Sequence, residues 1–356
     1  MSGGRQSAIG RDRWQAAMRM DQEKYSRQVL FEPIGAAGQQ KLRQAKVVIV
    51  GCGALGTAQA NALVRAGIGH LRIVDRDYVE ASNLQRQMLY DEADAAENLP
   101  KAIAAERKLK RINSDVEVEG IVADFENRNA EGLLCGFQVI LDGTDNFEAR
   151  YLLNDVSLKL GIPWIYAAVV ASYATTLTVV PGRTPCLACV YPRPPEGVHD
   201  TCDTVGVIAP AVAWAAAVQI TEAFKILIGR VEELHGSLLS YDVWKSRYQQ
   251  VKPKIDPNCR ACQTRDFAYL AGGGPIHTTL CGRNAIQIRQ RESRRLNLEM
   301  LKARLEQFGS VRGNEFLLQC RVDSLELTVF ADGRAIIKGT TDPAVARGVY
   351  AKYVGS

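Results

Sequence analysis

Lys46-Val-Val-Ile-Val50 runs directly into Gly51-Cys-Gly-Ala-Leu-Gly56, and these eleven residues are the strongest indication of the fold in the chain. The first segment is a short β-branched apolar run, which is typical of a strand buried in a parallel sheet. The second has the spacing G-x-G-x-x-G between a strand and an Ala/Leu-rich helix. Its glycines, Gly51, Gly53 and Gly56, let the backbone turn tightly and approach a phosphate, and the helix N-terminus adds free N–H groups. The stretch therefore predicts a nucleotide-binding strand–loop–helix unit.

Strand and helix patterns alternate around this unit. Further strands are predicted at His70–Asp75, Val116–Val122, Phe137–Leu141, Trp164–Val169 and Thr175–Val180, helices at Leu99–Ile112 and Gly206–Ile228, a hairpin at Leu238–Val251, and a proline-rich loop at Tyr191–Val198. This alternation predicts a Rossmann-like α/β fold, in which a doubly wound, mostly parallel sheet is wrapped by helices.

The glycine-rich segment Ala271-Gly-Gly-Gly-Pro275 is the clearest linker in the chain. We expect residues 1–20 to form a disordered or extended tail, or to precede a translation start at Met20. Residues 21–271 would form the nucleotide-binding domain and 272–356 a small α+β domain. For the small domain the pattern predicts a strand at Ala285, a helix at Leu298–Phe308, strands between Val311 and Ile337, and a closing helix at Asp342–Tyr353.

Composition excludes several function classes. The chain is 47% hydrophobic and 23% charged, with a formal charge of +5, and no basic run interleaved with aromatics indicates nucleic-acid binding. The longest uncharged stretch, 206–220, contains Pro210 and falls short of the roughly 20 apolar residues of a membrane span. Nine cysteines without a secretory signal favour a reducing, cytoplasmic location, where metal or catalysis is expected before disulfides.

Polar side chains follow three of the predicted strands. Asp75 ends the second strand at the distance where an acid reaches a ribose hydroxyl. Shortly after it come the acids Asp77 and Glu80, followed by Asn83 and Arg86. Lys101 begins a predicted helix, and the segment 142–146 ends a later strand. The carboxyl ends of parallel strands meet at one crevice. This crevice would therefore contain acidic side chains that can bind Mg²⁺ and basic side chains that can bind phosphates. This equipment favours triphosphate chemistry, although the glycine loop alone fits a nicotinamide-dependent oxidoreductase equally well.

Several segments, in this order, resemble the ThiF/MoeB/HesA family, relatives of the nucleotide-binding half of ubiquitin-activating enzymes. They are Tyr25-Ser-Arg27-Gln28, Gly35-Ala-Ala-Gly38-Gln39, the glycine loop, Asp75-x-Asp77-x-Val79-x-x-Ser82-Asn83-Leu84-x-Arg86-Gln87, Lys101, Thr144-Asp145-Asn146, two C-x-x-C pairs and Thr201-Cys202. The resemblance extends over about 24–270.

The resemblance implies an ATP-dependent adenylyltransferase. A ubiquitin-like sulfur-carrier protein ending in Gly-Gly would attack the α-phosphate with its terminal carboxylate, giving acyl-adenylate and pyrophosphate ahead of thiocarboxylate formation. Asp75 would hold the ATP ribose, and Asp145 would bind a magnesium ion. The phosphates would be positioned by Asn83, Arg86 and Lys101. Arg27 resembles the arginine that enters the neighbouring subunit's site, so a homodimer is implied.

The full set of residues implied to contact ATP is Gly51, Gly53, Gly56, Asp75, Asp77, Asn83, Arg86, Gln87, Lys101, Asp145 and Asn146. A sulfurtransferase or a cysteine desulfurase is a further implied partner. Two alternatives stay open: the oxidoreductase, which does not need Lys101 or Asp145, and a non-catalytic zinc-containing scaffold that binds a partner.

Two knuckles, Cys186-x-x-Cys189 and Cys259-x-x-Cys262, supply the four thiolates of a tetrahedral zinc site. The wide separation of the knuckles predicts a structural clip between distant segments. Two separate redox pairs are the alternative. Cys52, Cys135 and Cys320 are interpreted as ordinary buried or strand cysteines.

Cys202 precedes a predicted helix, and a thiolate near a helix N-terminus is a better nucleophile. In related enzymes a cysteine here takes the activated carrier as a thioester or persulfide partner, so Cys202 is a candidate catalytic residue. A structural thiol is the alternative, since Asp203 opposes thiolate formation. His199 is a candidate base, and Cys281 a candidate second transfer thiol. We find no sulfurtransferase domain after the linker, and expect that segment to be a docking surface.

Overall fold

The computed structural model describes residues 23–194, 205–272, 284–288 and 296–355, together with the backbone of strand 278–280. The large sheet has eight strands: β1 Lys46–Val50, β2 His70–Asp75, β3 Glu117–Val122, β4 Val139–Asp142, β5 Trp164–Val170, β6 Tyr173–Val179, β7 Leu238–Asp242 and β8 Arg247–Val251. The helices around it are α1 Ser26–Val29, α2 Gly35–Gln44, α3 Ala54–Ala66, α4 Glu92–Ala96, α5 Lys101–Ile112, α6 Ala130–Leu134, α7 Phe147–Leu160, α8 Leu187–Val190 and α9 Ala209–Ile228.

The strand order in the large sheet is β3-β2-β1-β4-β5-β6-β7-β8. Strands β3 to β5 pair in parallel and β5 to β8 pair antiparallel. Since β2 and β4 flank β1, the chain winds in both directions away from it, and the crevice beyond the carboxyl ends of β1 and β4 is where such sheets bind ligands. The predicted doubly wound α/β fold is confirmed.

Two apolar layers bury the faces of this sheet. One layer packs α3, α5 and α9 against residues such as Val47 and Ile49 of β1, whose side chains are fully buried. The other packs α6, α7 and α8 against Val48 and Val50, on the opposite face of the same strand. A strand buried on both faces explains the continuous apolar run in its sequence.

Helix α7 was missed in the sequence analysis. Ten consecutive residues of it, 149–158, are buried, so its sequence carries no stripe of alternating exposed and buried positions. Its start is nonetheless well marked, because the Asn146 side chain caps the helix by accepting a hydrogen bond from the Ala149 N–H at 2.9 Å. The helix carries residues that hold both the candidate active site and the cysteine cluster.

Helix α9 begins at Ala209, three residues after the predicted start. It is the one helix within the described ranges that is long and apolar enough to cross a membrane. It packs on the sheet, and its polar residues are built into that packing: Gln219 donates to the Ile165 carbonyl at 2.7 Å, and Glu222 accepts from the Thr178 hydroxyl at 3.0 Å. These buried bonds are typical of a core helix, and the helix predicted from Gly206 is confirmed from Ala209 onward.

The C-terminal segment forms a separate antiparallel sheet with the order β11-β12-β13-β14-β10-β9. Its strands are β9 Thr278–Leu280, β10 Ala285–Ile288, β11 Val311–Gly313, β12 Leu317–Val322, β13 Leu325–Phe330 and β14 Ala335–Lys338, and its helices are α10 Leu298–Leu305 and α11 Pro343–Tyr353. The predicted strands and helices are confirmed, except that α10 ends three residues earlier than Phe308. The linker and the tail 1–20 lie largely or wholly outside the described residues, so the domain boundaries stay predictions.

Candidate active site

The glycine loop between β1 and α3 contacts the loop that follows β4. Gly51 has a φ of +91°, and a Cβ there would lie 2.5 Å from the Gly143 carbonyl oxygen. A Cβ on Gly56 would lie 2.0 Å from the Gly51 oxygen. No other residue fits either position without moving backbone. Gly53 is less crowded, with the Gln87 amide nitrogen 3.8 Å from where its Cβ would be.

Asp75, at the end of β2, connects the glycine loop to the loop after β2. One carboxylate oxygen accepts from the Cys52 N–H at 2.5 Å and the other from the Asp77 N–H at 2.7 Å. Burial raises the pKa of this carboxyl, and Lys101 opposes that shift. Asp75 thus shapes the loop in addition to any contact with a nucleotide.

Lys101 and Asp77 form a buried ion pair beside this loop. Lys101 is 3% exposed, and its Nζ lies 3.2 Å from Asp77 Oδ2. The Lys101 N–H also donates to the Asp77 carbonyl at 2.8 Å. The Tyr90 hydroxyl lies 3.1 Å from the Lys101 carbonyl and 2.8 Å from the Cys52 carbonyl, so it joins the start of α5 to the glycine loop. A buried ammonium held here is a ready partner for phosphate oxygens.

A short 3₁₀ turn, Ala81–Asn83, places Asn83, Arg86 and Gln87 at the same edge. The Asn83 side-chain oxygen accepts from the Glu80 N–H at 3.3 Å, and Arg86 donates to the Ser82 carbonyl at 2.9 Å. Gln87 is 4% exposed, and its side-chain oxygen has no hydrogen-bond partner in the part of the chain that the structure describes. The amide nitrogen of the same side chain lies near Gly53, so an unpaired buried amide oxygen on Gln87 fits a ligand that brings a donor to it.

Asp145 follows β4 and is exposed to solvent. Its Oδ1 accepts from the Asn146 amide at 3.3 Å. Asn146 itself caps α7, so its side-chain oxygen is already engaged. An exposed carboxylate at this edge is free to face a hydrated magnesium ion, which usually keeps several of its waters.

Arg150 and Asp142 hold the loop that carries Asp145, and no sequence pattern predicted this pair. The Arg150 guanidinium lies 3.3 Å from Asp142 Oδ2 and donates to the Thr144 carbonyl at 2.9 Å. The other Asp142 oxygen accepts from Thr144 N–H at 2.8 Å and from its hydroxyl at 2.7 Å. Burial raises the pKa of Asp142, and Arg150 opposes that shift. Arg150 lies within α7, whose sequence shows no amphipathic pattern.

A second missed pair, Arg76 and Asp124, lies beside Asp77. Arg76 Nη1 is 3.2 Å from Asp124 Oδ1, and its Nε is 3.8 Å from Asp77 Oδ1. Burial lowers the pKa of Arg76, but the neighbouring carboxylates, Asp124 first, outweigh it and keep the guanidinium charged. The position of Asp124 in the sequence could have indicated that it belongs to the site. It lies two residues beyond the end of β3, just as Asp77 lies two residues beyond the end of β2.

The four knuckle cysteines meet as predicted. Sulfur–sulfur distances are 3.8 Å for Cys186–Cys189, 3.6 Å for Cys186–Cys259 and 3.5 Å for Cys189–Cys262, and all four sulfurs lie within 4.8 Å of one another. Zn–S bonds of about 2.3 Å in a tetrahedron put sulfurs about 3.8 Å apart. The cluster therefore fits zinc, and a set of four protein ligands is typical of a structural rather than a catalytic zinc site.

Helix α7 also supports this cluster. The Asn154 side chain accepts from the Leu187 N–H at 2.9 Å, and Asp155 accepts from the Tyr269 N–H at 2.9 Å. Arg260, between the cysteines of the second knuckle, lies 3.7 Å from Asp155 and over the Tyr269 ring. One buried helix thus joins the cysteine cluster to the loop that carries Asp145.

Arg27 lies exposed on α1, away from the glycine loop of its own chain. The neighbouring Gln28 donates to the Ala66 carbonyl at 3.0 Å, and Tyr25 accepts from Asn113 at 2.7 Å. Those partners are at the C-terminal ends of α3 and α5, whereas the site forms at their N-terminal ends. Arg27 therefore does not join the other predicted residues within one chain.

The remaining cysteines divide three ways. Cys52 and Cys320 are buried, the latter in β12, as interpreted from the sequence. Cys135 is exposed and follows α6, so its interpretation as a core or strand residue is wrong. The strand β4 begins only at Val139, after Gly136 has turned the chain with a φ of +85°. Cys202, His199 and Cys281 lie outside the described residues, and their roles stay predictions.

The fold and the site define a nucleotide-binding α/β protein with a zinc-compatible cysteine clip. The family model described as "ThiF family" matches residues 25–261. The chain belongs to the ThiF family.

Two relatives and one solved structure place the chain more closely. It is 48% identical over 337 residues to the sulfur carrier protein ThiS adenylyltransferase of Bacillus subtilis, covering 93% of this chain and 99% of that one. It is 37% identical to the SAMP-activating enzyme E1 of Haloferax volcanii, covering 67% and 88%. The structure of E. coli MccB with ATP aligns with a TM-score of 0.59 at 25% identity, covering 67% of this chain and 74% of that one.

Proposed function

We propose that this protein adenylates the C-terminal glycine of a ubiquitin-like sulfur-carrier protein, using ATP. The observation that carries the proposal is the buried Lys101–Asp77 pair beside a glycine loop, in a chain that aligns over almost its whole length with a sulfur-carrier adenylyltransferase. An oxidoreductase has no use for a buried phosphate-binding lysine at this edge. A scaffold has no reason to keep the exposed Asp145 on a loop braced by Arg150.

In the proposed reaction, a carboxylate oxygen of the carrier's terminal glycine forms a bond to the α-phosphorus of ATP. The bond from that phosphorus to the bridging oxygen of pyrophosphate breaks, and the electron pair leaves with pyrophosphate. Lys101 and Arg86 would offset the charge that develops on the phosphate oxygens. Asp75 and Gln87 would orient the nucleoside. The glycine loop would orient the phosphates.

Magnesium fits the site because exposed oxygen ligands and phosphates are what it prefers. Asp145 would hold the ion, which would supply charge neutralisation at the phosphates. Arg150 would keep the Asp145 loop in place through its bond to the Thr144 carbonyl. Zinc at the cysteine clip would act structurally, by fixing 186–189 to 259–262.

The rest of the proposal involves other proteins, and one residue beyond the described ranges. Arg27, on the far side of its own domain, would reach the site of a second subunit in a homodimer. Cys202 would receive the activated carrier during thiocarboxylate formation, with a sulfurtransferase or cysteine desulfurase as sulfur source. A cytoplasmic location follows from the cysteine usage.

The proposal is tested by incubating the protein with ATP, magnesium and a Gly-Gly carrier, followed by mass spectrometry of the carrier. A mass increase of one adenylyl group, absent from a carrier without its terminal glycine, is expected. NAD binding by calorimetry in place of ATP binding would favour the oxidoreductase instead. ATP binding without any adenylated carrier would favour the scaffold.

A further inference from the structure

The C-terminal sheet packs against the loop 76–80, which follows β2. One face of that sheet carries α10 and α11. The opposite face contributes four buried residues, Ala285, Leu317, Phe330 and Ile336, to a cluster that contains Tyr78. Tyr78 is 5% exposed, and its ring lies 6.4 Å from that of Phe330. The residue next to Asp77 is thus buried by the other domain.

Polar contacts reinforce this packing at both ends of the loop. Lys338 Nζ lies 2.6 Å from Glu80 Oε1, and Arg334 donates to the Arg76 carbonyl at 2.5 Å. Lys338 also lies 5.6 Å from the centre of the Tyr78 ring. Arg334 is only 4% exposed and lies over the Phe330 ring at 3.8 Å. Both cations come from the strand β14 or the turn before it.

A third polar contact reaches the loop after β3. Gln287, on β10, is 1% exposed and donates to Asp124 Oδ2 at 2.7 Å. The other oxygen of Asp124 holds Arg76 at 3.2 Å. The small sheet therefore contacts two neighbouring loops at the edge where the candidate site lies.

These contacts lead directly to residues of the candidate site. The Glu80 N–H donates to the side chain of Asn83 at 3.3 Å, so Lys338 fixes the residue that orients Asn83. Arg76, whose carbonyl Arg334 holds, is next to Asp77. The opposite side of the loop is bonded to the start of α5, where Val79 N–H donates to the Leu99 carbonyl at 2.8 Å. The loop is thus held between α5 and the C-terminal sheet.

We propose that Lys338 and Arg334 are positioning residues of the nucleotide site, through which the C-terminal domain holds 76–80 in the ATP-binding geometry. The inference rests on the proposed function. It assigns the small domain a role inside the reaction: without these contacts, Asp77 and Asn83 would lose their fixed positions relative to Lys101. In this loop the two side chains contact Arg76, Tyr78 and Glu80, which are outside the set of residues implied to contact ATP.

The test compares Lys338→Met, Lys338→Arg and the control Lys352→Met in the full-length protein. Methionine keeps the aliphatic packing over Tyr78 and removes the charge. Lys352 is on α11 of the same domain, with its side chain 61% exposed. Binding of a non-hydrolysable ATP analogue is measured by calorimetry, KM for ATP and KM for the carrier by adenylation, and thermal unfolding by calorimetry.

We expect Lys338→Met to raise Kd and KM for the nucleotide by about 5- to 20-fold, with KM for the carrier unchanged. Lys338→Arg should restore most of the affinity, and Lys352→Met should behave as wild type. Glu80→Gln should match Lys338→Met, and combining the two should add little, because both break one pair.

Two outcomes would overturn the inference. In the first, Lys338→Met binds the analogue as wild type does. In the second, nucleotide and carrier KM rise together with a loss of thermal stability, which indicates a structural role alone. Failure of the wild type to bind any ATP analogue is a different result, since it removes the proposed function as well.

Discussion

The backbone N–H of Cys52 donates to the carboxylate of Asp75 at 2.5 Å, so the middle of the glycine loop is bonded to the end of the neighbouring strand β2. The side chain of Cys52 is fully buried. The contact ties together the two segments that the sequence singled out independently. It also gives Cys52 a chemical environment unlike that of the exposed thiol Cys135.

Cys52 should resist alkylation in the folded protein. Burial, with the charge of Asp75, raises the pKa of its thiol to about 12, so almost no thiolate forms near pH 8. Peptide mapping after iodoacetamide treatment should find Cys135 modified and Cys52 unmodified. In denaturant both should react. Rapid labelling of Cys52 in the native protein would contradict the buried loop geometry.

Lys101→Met should lower kcat for adenylation by about 100-fold or more, since removing one preorganised charge from a reacting phosphate typically costs that much. The matched control is Lys110→Met on the same helix, where the lysine is 53% exposed and pairs with Glu106. The control should leave kcat unchanged. Equal losses in both variants would place the effect in the helix rather than in the site.

Arg150→Met should destabilise the protein by about 3–5 kcal/mol, because Asp142 then remains buried without its partner. Burial already raises the pKa of Asp142, and loss of Arg150 raises it further. When the pKa of a carboxyl is higher in the folded than in the unfolded state, the free energy of unfolding of the protein falls as the pH rises above the unfolded-state pKa. The deficit measured by urea unfolding should therefore be larger at pH 8 than toward acid pH.

The double variant Arg150→Met with Asp142→Asn serves as the control for that experiment. It removes the charge that would be stranded, so it should be more stable than Arg150→Met and show little pH dependence of the deficit. A deficit that grows toward acid pH in the single variant would contradict the assignment of the effect to Asp142.

Removal of the metal should destabilise the large domain. The protein as purified should contain zinc bound by four thiolates, and Cys259→Ser should lose it. Loss of a structural metal belongs with the rare changes that cost more than about 4 kcal/mol. Elemental analysis and calorimetric unfolding with and without a chelator measure both effects. Cys320→Ser, at a buried cysteine outside the cluster, should retain the zinc.

Much of the large sheet could be predicted because its signals are local. The apolar run 46–50, the glycine spacing after it and the two C-x-x-C pairs each occupy a few adjacent residues, and the structure places them as expected. The acids after β2 and β4 could be assigned to one edge because carboxyl ends of parallel strands meet there.

The supports of the site could not be predicted in the same way. Arg150 lies in a helix buried on all sides, so no periodicity separates it from its apolar neighbours. Asp124 is 48 residues from Arg76, and Lys338 is 258 residues from Glu80. Such pairs depend on how distant segments pack, which leaves no local pattern in the sequence. The C-terminal strands could be predicted, but the face of their sheet against which Tyr78 packs could not.

Pyrophosphate exchange measures the proposed adenylation step itself. Label is followed from pyrophosphate into ATP, with and without a Gly-Gly carrier, in wild type and in Asp145→Ala. We expect exchange that requires the carrier and its terminal glycine, and that falls by about 100-fold or more in the variant. Absence of exchange with folded, zinc-loaded protein and a carrier that binds it would contradict adenylation as the reaction of this chain.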